Sequence, residues 1–308
     1  MHKSSNRLVV PPFCVPTTKK SGILGVLSNS TKLFIMEEKP LEHYEWLMPL
    51  APWENPKILK AAINSLQNQT WPAQNLIVSV DGKLTEELKK VLNEYSLPMK
   101  IIEANQWIGT GAALEIGINQ CRSKWVLRAD SDDKAYPRRA EIQLKHLANN
   151  PNIAALGGQL LEEWGNGKVQ GVRKVPITEK DINILAYWRN PLNHPTVALN
   201  RHAVEKVGGY RNIQYFEDWD LWLRMRKHKM RLENLKDILV SAGVNANYLN
   251  RRRGFKYLKK EIKFMIKCAA EGTLPLCQVA ALVMVRSPWR LLPANMLVNV
   301  MRKFRATV

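Results

Sequence analysis

Short apolar segments alternate with amphipathic helical segments between residues 44 and 129. Four of the apolar segments have the length and composition of buried strands, and they cover residues 44–50, 75–80, 99–104 and 125–129. The intervening segments repeat apolar residues at helical spacing, and Thr85 followed by Glu86 and Glu87 is typical of a capped helix start. Strands that alternate with helices predict a mainly parallel sheet with right-handed crossovers. The first half of the chain is therefore expected to form an α/β layer.

An acidic run follows the last of these segments. The carboxylates of Asp130, Asp132 and Asp133 lie within four positions at the end of a predicted buried strand. Carboxylates this close together repel one another and are costly to desolvate unless a cation lies among them. Oxygen ligands at the carboxyl end of a strand suit Mg²⁺ or Mn²⁺, and ligands bind at that edge of open α/β sheets. The alternative is a solvated acidic turn before a helix that Pro137 introduces.

The second half of the chain carries both strand and helix patterns. Residues 153–164 and 168–175 are predicted to pair as a hairpin around Gly165-Asn166-Gly167. Helices are expected over residues 137–149, 178–188, 203–207, 217–229 and 255–271, and a short strand over residues 196–199.

The chain is basic, and the excess charge is concentrated near its end. The sequence has 46 Lys or Arg against 27 Asp or Glu, a formal net charge of +19. Between residues 248 and 308 there are 13 basic and 2 acidic side chains, interleaved with Trp, Leu and Phe. This pattern suits helices that lie in the interface of an anionic membrane. The alternative is a helical layer packed on the rest of the protein with a solvated basic face.

The length and the hydrophobic share indicate a folded protein with one large α/β core, or one domain with an appendage. The chain has 308 residues, 45% of them hydrophobic, and no apolar run reaches the roughly 18 to 20 residues that span a membrane. Its four cysteines lack zinc-site spacing and are expected to be reduced thiols of a cytosolic protein. Residues 1–39 show no sustained period. We expect them to be a loosely ordered arm or, if translation begins at Met36, a start-site artefact.

Six short motifs occur in order along the chain. They are Ser65-Leu66-Gln67-Asn68-Gln69-Thr70, Val80-Asp81-Gly82, Arg128-Ala129-Asp130-Ser131-Asp132-Asp133, Asn190-Pro191-Leu192-Asn193-His194-Pro195-Thr196, Gly208-Gly209-Tyr210 and Glu217-Asp218-Trp219-Asp220-Leu221-Trp222-Leu223-Arg224. Their order and spacing resemble family 2 glycosyltransferases of the GT-A fold, especially the bacterial branch of exopolysaccharide, capsule and O-antigen synthesis. The resemblance extends from Trp46 to Gly254. The family usually has Asn two residues before Gly109, where this chain has Trp107.

The resemblance implies an α/β fold and a reaction. The expected fold is a Rossmann-like GT-A domain over residues 40–250, with a mixed, mainly parallel sheet flanked by helices and a basic helical tail over residues 251–308. The implied reaction moves a sugar, with inversion, from a nucleotide-diphosphate donor to a hydroxyl of an acceptor. We expect a UDP-sugar donor and a lipid-linked glycan acceptor. The basic tail adds an anionic membrane surface as a partner, with the protein cytoplasmic and peripheral on the inner face of the plasma membrane.

The metal site is carried over from the family's acidic motif. By resemblance, Asp130 and Asp132 anchor Mg²⁺ or Mn²⁺, with Asp133 as a second candidate ligand. The ion would act as a Lewis acid on the pyrophosphate of the donor. Asp130 is thereby also a donor-binding residue.

Three further residues are assigned to the donor site. Asp81 matches the family position that contacts the base, and its alternative role is that of a turn residue before Gly82. Pro49 and the loop after it are expected to wall the nucleotide pocket. Arg128 either pairs with the acidic cluster or caps its strand.

The catalytic base is expected at the last motif. Asp218 matches the family's base, which takes the proton of the acceptor hydroxyl, and Glu217 orients the acceptor or the base. The alternative is an acidic helix N-terminus that the helix dipole favours. Asn193, His194 and Trp219 are assigned to the loop and helix that meet the acceptor or the leaving group. For a lone histidine, a structural role is the alternative.

Two other classes of function remain open from the sequence alone. A basic nucleic-acid-binding protein would show a binding module with basic and aromatic residues on one surface, and none is recognisable. We therefore expect no nucleic-acid partner. A sugar nucleotidyltransferase would need a Gly-rich, basic loop after the first strand, where this chain has Ala51-Pro52-Trp53-Glu54-Asn55.

Overall fold

The computed structural model describes residues 42–164, 169–244 and 252–292. The strands in these ranges are β1 (Tyr44–Leu50), β2 (Asn75–Val80), β3 (Met99–Glu103), β4 (Trp125–Arg128), β5 (Asp133–Ala135), β6 (Ile153–Trp164), β7 (Val169–Arg173), β8 (Ala198–Asn200) and β9 (Arg231–Val244). The helices are α1 (Pro56–Gln67), α2 (Glu86–Asn93), α3 (Thr110–Ile118), α4 (Arg139–Asn149), α5 (Glu179–Leu185), α6 (Arg201–Lys206), α7 (Glu217–Lys227), α8 (Gly254–Ala270) and α9 (Leu276–Leu291). The expected arm over residues 1–39 lies outside the described residues.

The strands form one mixed sheet in the order β3-β2-β1-β4-β8-β6-β9-β5, with β7 paired to β6. The first four strands are parallel, with Trp46 of β1 opposite Leu76 of β2 and Leu127 of β4. All seven residues of β1 are buried, as in a parallel strand covered on both faces. The α/β class, the first four strands and their crossover helices are as predicted. Beyond β4 the described strands pair antiparallel, except for the parallel pair β6–β9.

Two strands were not foreseen. In β9, Glu233, Lys236 and Asp237 interrupt any apolar period, yet the strand runs for 14 residues because it pairs with β6 on one side and β5 on the other. The short strand β5 begins at Asp133, where the sequence suggested a turn. Both strands depend on non-local pairing, which local periodicity does not reveal. The predicted hairpin of β6 and β7 is confirmed, although its turn at residues 165–168 lies outside the described residues.

Helices cover both faces of the sheet. One hydrophobic cluster joins the sheet to α1, α2 and α4, and a second joins it to α3, α6 and α7. Leu221 and Trp222 of α7 are completely buried. Their packing holds this helix in place against the sheet.

A third cluster joins α7 to the two helices of the basic C-terminal segment. The Phe216 and Phe264 rings stack with centroids 4.8 Å apart, and the Trp219 ring lies 5.4 Å from that of Phe264. The described part of this segment is thus packed against α7, while the boundaries at residues 40–250 and 251–308 stay a prediction. Among the described helices, none combines the length and hydropathy needed to cross a membrane.

A buried carboxylate fastens α8 to α9. Glu261 on α8 is 1% exposed and accepts hydrogen bonds from Nη2 of Arg286 at 2.6 Å and Nη2 of Arg290 at 2.7 Å. Burial alone would raise the pKa of Glu261, but the hydrogen bond from Arg290 and the charges of both arginines outweigh it and lower that pKa. Arg286 also donates to the Trp188 carbonyl at 3.0 Å and lies over the Trp219 ring at 5.4 Å. The carboxylate therefore holds α9 against the start of α7.

Replacing this carboxylate should destabilise the protein strongly. Glu261→Gln leaves two guanidinium groups without their anion, which we expect to lower the free energy of unfolding by about 3–5 kcal/mol. Glu271→Gln is a matched control, because Glu271 also contacts two cations, Arg211 and Lys267, but its side chain is 31% exposed. For this exposed site we expect a loss of no more than about 1 kcal/mol. Urea unfolding of both variants measures the difference, and equal losses would contradict the assigned role of burial.

Candidate active site

The predicted site residues gather at one edge of the sheet. Asp81 follows β2, Asp130 follows β4, and both strands end at the same edge because they are parallel to β1. Pro49 is buried within β1, opposite Ser79 of β2 and next to the last residue of its strand. A parallel sheet exposes its carboxyl ends as a crevice at this edge. The fold thus brings the donor-site candidates together.

The three aspartates of the acidic run form a compact oxygen cluster. Asp130, Asp132 and Asp133 each place one carboxylate oxygen within 4.8 Å of the others. Asp132 is exposed and Asp133, at the start of β5, is buried. Asp130 forms an ion pair with Arg128. The cluster can offer three ligands to one cation from a single run of four residues.

The negative charges of this acidic cluster are not fully balanced by neighbouring positive charges. Although the Asp132 side chain reaches solvent, the surrounding protein desolvates its carboxylate. This desolvation, followed by the charges of Asp130 and Glu54, raises the pKa of Asp132 to about 7. Burial and the charges of Asp130 and Asp132 raise the pKa of Asp133 well above its ordinary value. A carboxylate whose pKa is raised in this way gains from a nearby cation. The donor set, all oxygen, fits a hard divalent ion.

Two buried arginines lie beneath the cluster. Arg128 is 4% exposed and pairs with Asp130, so of the two roles open from the sequence the ion pair is the one observed. Arg139, on α4, donates to the Arg128 carbonyl at 2.7 Å and lies over the Trp46 ring at 5.0 Å. Burial, and then the charge of Arg128, lowers the pKa of Arg139 to about 9. Arg139 thus holds the end of β4 in place from below.

A fourth carboxylate was not foreseen. Glu54, in the loop after β1, accepts a hydrogen bond at Oε2 from the Ser131 hydroxyl at 2.9 Å. Its charge is one cause of the raised pKa of Asp132. Only its position in the sequence could have identified Glu54 as a site residue, because it follows a parallel strand just as Asp81 and Asp130 do.

Asp81 organises the loop before α3. Its Oδ1 atom accepts from the backbone N–H groups of Ile108 at 2.7 Å and Gly109 at 2.9 Å. Asp81 is 6% exposed, and Gly82 after it has φ +128°. The turn role suggested by the sequence is therefore present, and both of these hydrogen bonds use Oδ1. Trp107, in the position where the family has Asn, is 59% exposed.

The same loop is fixed from its other side by residues far along the chain. Asn212 donates to the Ile108 carbonyl at 2.6 Å. Gly109 has φ +91°, and a Cβ atom there would lie 2.8 Å from Asn212 Oδ1. A Cβ on Gly111 would lie 2.4 Å from the Arg211 carbonyl oxygen. Only glycine allows this close approach of the two segments.

Asp218 lies at the start of α7 with both carboxylate oxygens in hydrogen bonds. Oδ1 accepts from the Trp219 N–H at 2.7 Å, and Oδ2 accepts from the side-chain amide of Asn190. His194 Nδ1 lies 3.9 Å from Oδ2. Burial raises the pKa of Asp218. Asn190 belongs to one of the sequence motifs, but its sequence position alone did not indicate a site residue. The structure shows that it contacts the Asp218 carboxylate.

Glu217 precedes Asp218 and shares its surroundings. Burial, and then the charge of Asp218, raises the pKa of Glu217 to about 7. Its Oε2 atom is buried and has no hydrogen-bond partner among the described residues. The charge of Arg128 acts on Glu217 and Asp218 as well as on Asp132 and Asp133. The charge of one buried guanidinium thus influences both groups of carboxylates.

The three residues assigned to the acceptor loop are buried. Asn193 donates to the carbonyls of Gly158 at 2.9 Å and Arg173 at 3.0 Å, so its amide ties the loop to β6 and β7. Trp219 is 3% exposed and its indole N–H donates to the Ala186 carbonyl at 2.9 Å. Both side chains support the loop and helix that carry Asn190 and Asp218. Their assignment to the part of the site that meets the acceptor or the leaving group stays a prediction.

His194 is a buried, neutral residue close to Asp218. Its Nε2 atom lies 2.9 Å from the Tyr210 hydroxyl, and the ring is 7% exposed. Burial, and then the charge of Arg128, lowers the pKa of His194 well below its ordinary value. The structural role given as the alternative is therefore observed, together with proximity to the carboxylate of Asp218.

Comparisons with known proteins agree with the sequence motifs. The family model described as Glycosyl transferase family 2 matches residues 53–208. The Amylovoran biosynthesis glycosyltransferase AmsE of Erwinia amylovora is 30% identical over 254 residues, which are 82% of this chain and 95% of that protein. The UDP-Gal:alpha-D-GlcNAc-diphosphoundecaprenol beta-1,3-galactosyltransferase of Escherichia coli is 34% identical over 222 residues, which are 70% of this chain and 80% of that protein.

Solved structures share the fold at low sequence identity. A mannosyltransferase from Pyrobaculum calidifontis, in complex with GDP-Man and Mn²⁺, superposes with a TM-score of 0.56 at 14% identity, covering 85% of this chain and 80% of that one. Residues 1–349 of S. aureus TarS, in complex with UDP, give a TM-score of 0.52 at 17% identity and cover 73% of this chain and 65% of that one. The family match decides against the two other classes of function left open by the sequence. The chain belongs to glycosyl transferase family 2, and it is a glycosyltransferase with the GT-A fold.

Proposed function

We propose that this chain is an inverting, metal-dependent glycosyltransferase that extends a lipid-linked glycan during bacterial surface polysaccharide synthesis. The observation that carries the proposal is the presence of two groups of carboxylates, Asp130–Asp133 and Glu217–Asp218, on which the buried guanidinium of Arg128 acts. The first suits a cation and a diphosphate, and the second suits the attacking hydroxyl. The names of the relatives from Erwinia amylovora and Escherichia coli support the polysaccharide role.

The acidic cluster is the proposed site of Mg²⁺ or Mn²⁺. Asp130, Asp132 and Asp133 would hold the ion, and Glu54 adds negative charge beside Asp132. The raised pKa values of Asp132 and Asp133 support this assignment, because uncompensated carboxylates are costly. A bound divalent ion supplies Lewis-acid stabilisation of the departing diphosphate.

A UDP-sugar is the favoured donor. The base would lie against Asp81, whose Oδ1 atom already binds the N–H groups of Ile108 and Gly109. Its second oxygen can accept a hydrogen bond from the imide N–H of uracil. Pro49, at the end of β1, and the loop that follows it border the same pocket.

Asp218 is the proposed base. The oxygen of the acceptor hydroxyl attacks the anomeric carbon while its proton moves to the carboxylate of Asp218. The bond from that carbon to the diphosphate breaks, and the diphosphate leaves with the electron pair. A single displacement of this kind inverts the anomeric centre. The raised pKa of Asp218 makes the carboxylate a better proton acceptor at neutral pH.

Two neighbours would prepare Asp218 for this role. Asn190 fixes Oδ2 by its side-chain amide, and the Trp219 N–H fixes Oδ1. The unpartnered Oε2 atom of Glu217 can accept a hydrogen bond from a second hydroxyl of the acceptor. We place the enzyme at the inner face of the plasma membrane, where a lipid-linked acceptor would be reached.

Loss of Asp132 should weaken metal binding. Asp132→Ala removes one anionic ligand, and we expect Mn²⁺ affinity to fall at least about tenfold. Titration calorimetry of the purified protein measures this affinity directly. Glu87→Ala, which removes an exposed carboxylate on α2, should bind Mn²⁺ as the wild type does. Equal Mn²⁺ affinity of the Asp132→Ala and wild-type proteins would remove the metal assignment.

Loss of the base should slow transfer without weakening donor binding. In Asp218→Asn the side chain no longer accepts a proton, so we expect kcat to fall by roughly 10²–10⁴ while the Kd for the donor is unchanged. Asp181→Asn changes an acidic residue in the first turn of another helix, α5, and should retain wild-type kcat. The assay begins with a panel of UDP-, GDP- and dTDP-sugars, and a wild-type rate in Asp218→Asn would exclude this residue as the base.

Substitutions of Asp81 should distinguish a donor-binding role of this residue from a structural role in the turn. Asp81→Asn keeps one side-chain oxygen for the N–H groups of Ile108 and Gly109, but it places an N–H₂ group where a base would donate. We expect UDP to bind roughly tenfold more weakly with little change in the unfolding temperature. Asp81→Ala should weaken binding and lower the unfolding temperature together. If Asp81→Asn binds UDP as tightly as the wild type, Asp81 serves the turn alone.

A further inference from the structure

The outer face of α9 carries no charge. Leu276, Met284, Val285 and Trp289 on this face are 76%, 70%, 54% and 43% exposed. The remaining exposed positions of the helix are Cys277, Ala280, Pro288 and Leu291. Its two charged residues, Arg286 and Arg290, both turn inward to Glu261. A contiguous apolar face of this kind is uncommon on a soluble monomer and indicates an interaction surface.

The outer face of the neighbouring helix α8 is basic. Lys256, Lys259 and Lys263 are exposed, and no ion pair with an acidic group is found for them within the described ranges. Two exposed apolar side chains, Phe255 at 77% and Ile266 at 58%, lie beside this lysine row on the helix surface. The helix therefore presents unneutralised positive charge flanked by apolar groups.

The two outer faces adjoin. Arg290, near the end of α9, donates to the carboxylate of Glu261 and to the Arg252 carbonyl just before α8, so the helices lie antiparallel. Their inner faces share one cluster that includes Phe264 and Leu282. With both inner faces fixed on the same core, the lysine row and the apolar face lie side by side on the outside.

We propose that these adjoining faces form a docking surface for an anionic phospholipid bilayer. The apolar side chains of α9 enter the boundary between headgroups and acyl chains, and Lys256, Lys259 and Lys263 bind lipid phosphates. The charge pattern selects this partner, because the basic row requires anions and the apolar face requires a surface without water. The inference rests on the proposed lipid-linked acceptor for its purpose, since docking would bring the active site to that acceptor.

The docking helix also contacts the catalytic region. Arg286 of α9 donates to the Trp188 carbonyl and lies over the Trp219 ring, and these two residues are close in sequence to Asn190 and Asp218. The position of the bilayer relative to the active site would therefore be fixed by direct contacts.

Vesicle sedimentation tests the proposal with the full chain. Wild-type protein should sediment with vesicles of phosphatidylcholine and phosphatidylglycerol, and much less with phosphatidylcholine alone. The double variant Met284→Glu, Val285→Glu places charge on the apolar face. The triple variant Lys256→Gln, Lys259→Gln, Lys263→Gln removes the basic row. Each should bind the anionic vesicles at least about tenfold more weakly.

Matched controls separate these faces from the protein's general charge and hydropathy. Ile58→Glu changes a 44% exposed apolar residue on α1. Lys57→Gln, Lys90→Gln, Lys180→Gln removes three exposed lysines elsewhere. Both controls should sediment as the wild type does. All variants should retain the wild-type unfolding temperature and the wild-type rate of donor hydrolysis without vesicles.

The outcomes keep docking and catalysis apart. Wild-type protein that fails to sediment with anionic vesicles overturns the docking surface, as does wild-type sedimentation of the Met284→Glu, Val285→Glu variant. Binding lost only in the lysine variant excludes entry of α9 and overturns the proposal as stated. If the faces control sedimentation but no nucleotide sugar is hydrolysed, the docking surface stands and the proposed function fails.

Discussion

The burial of several carboxylates at one edge of the sheet is the constraint on which the site depends. Asp132, Asp133, Glu217 and Asp218 all have raised pKa values, and the charge of Arg128 acts on each of them. A buried cation stabilises such a group only if it is held firmly, since burying charge is itself costly. The ion pair with Asp130 and the support of its strand from below by α4 meet this requirement. The remaining deficit of positive charge supports the proposal of a divalent ion at Asp130, Asp132 and Asp133.

The second half of the chain determines where the proposed base, Asp218, lies. The family match ends at residue 208, whereas Asp218 lies beyond it, at the start of α7. That helix is fixed by the sheet on one side and by α8 and α9 on the other. The buried carboxylate of Glu261 keeps these last two helices together. The described part of the basic C-terminal segment therefore packs against the helix that carries Asp218, whatever surface it also presents to the outside.

From the sequence we could predict those strands and helices that depend on residues close together in the chain. Strands β1 to β4 were recognisable because buried parallel strands are short apolar runs between amphipathic helices. Strand β9 was not, because pairing with β6 stabilises it despite its charged residues. The motifs located Asp130 and Asp218, but Glu54 and Asn190 required knowledge of which loops meet in space. The burial of Asn193, His194 and Trp219 could not be predicted either, because a motif specifies which residue occupies a position but not where its side chain points.

The loop before α3 is specified by three separated segments. Asp81 binds its N–H groups, Asn212 binds its Ile108 carbonyl, and the Gly109–Gly111 backbone leaves no space for a side chain where it meets residues 211–212. A chimera that exchanges only residues 105–111 with a relative would therefore separate mutually dependent parts. Exchanging this loop, which borders the proposed nucleotide site, would require transplanting the segments around residues 81, 105–111 and 211–212 as one unit, even though more than a hundred residues of chain lie between the first and the last.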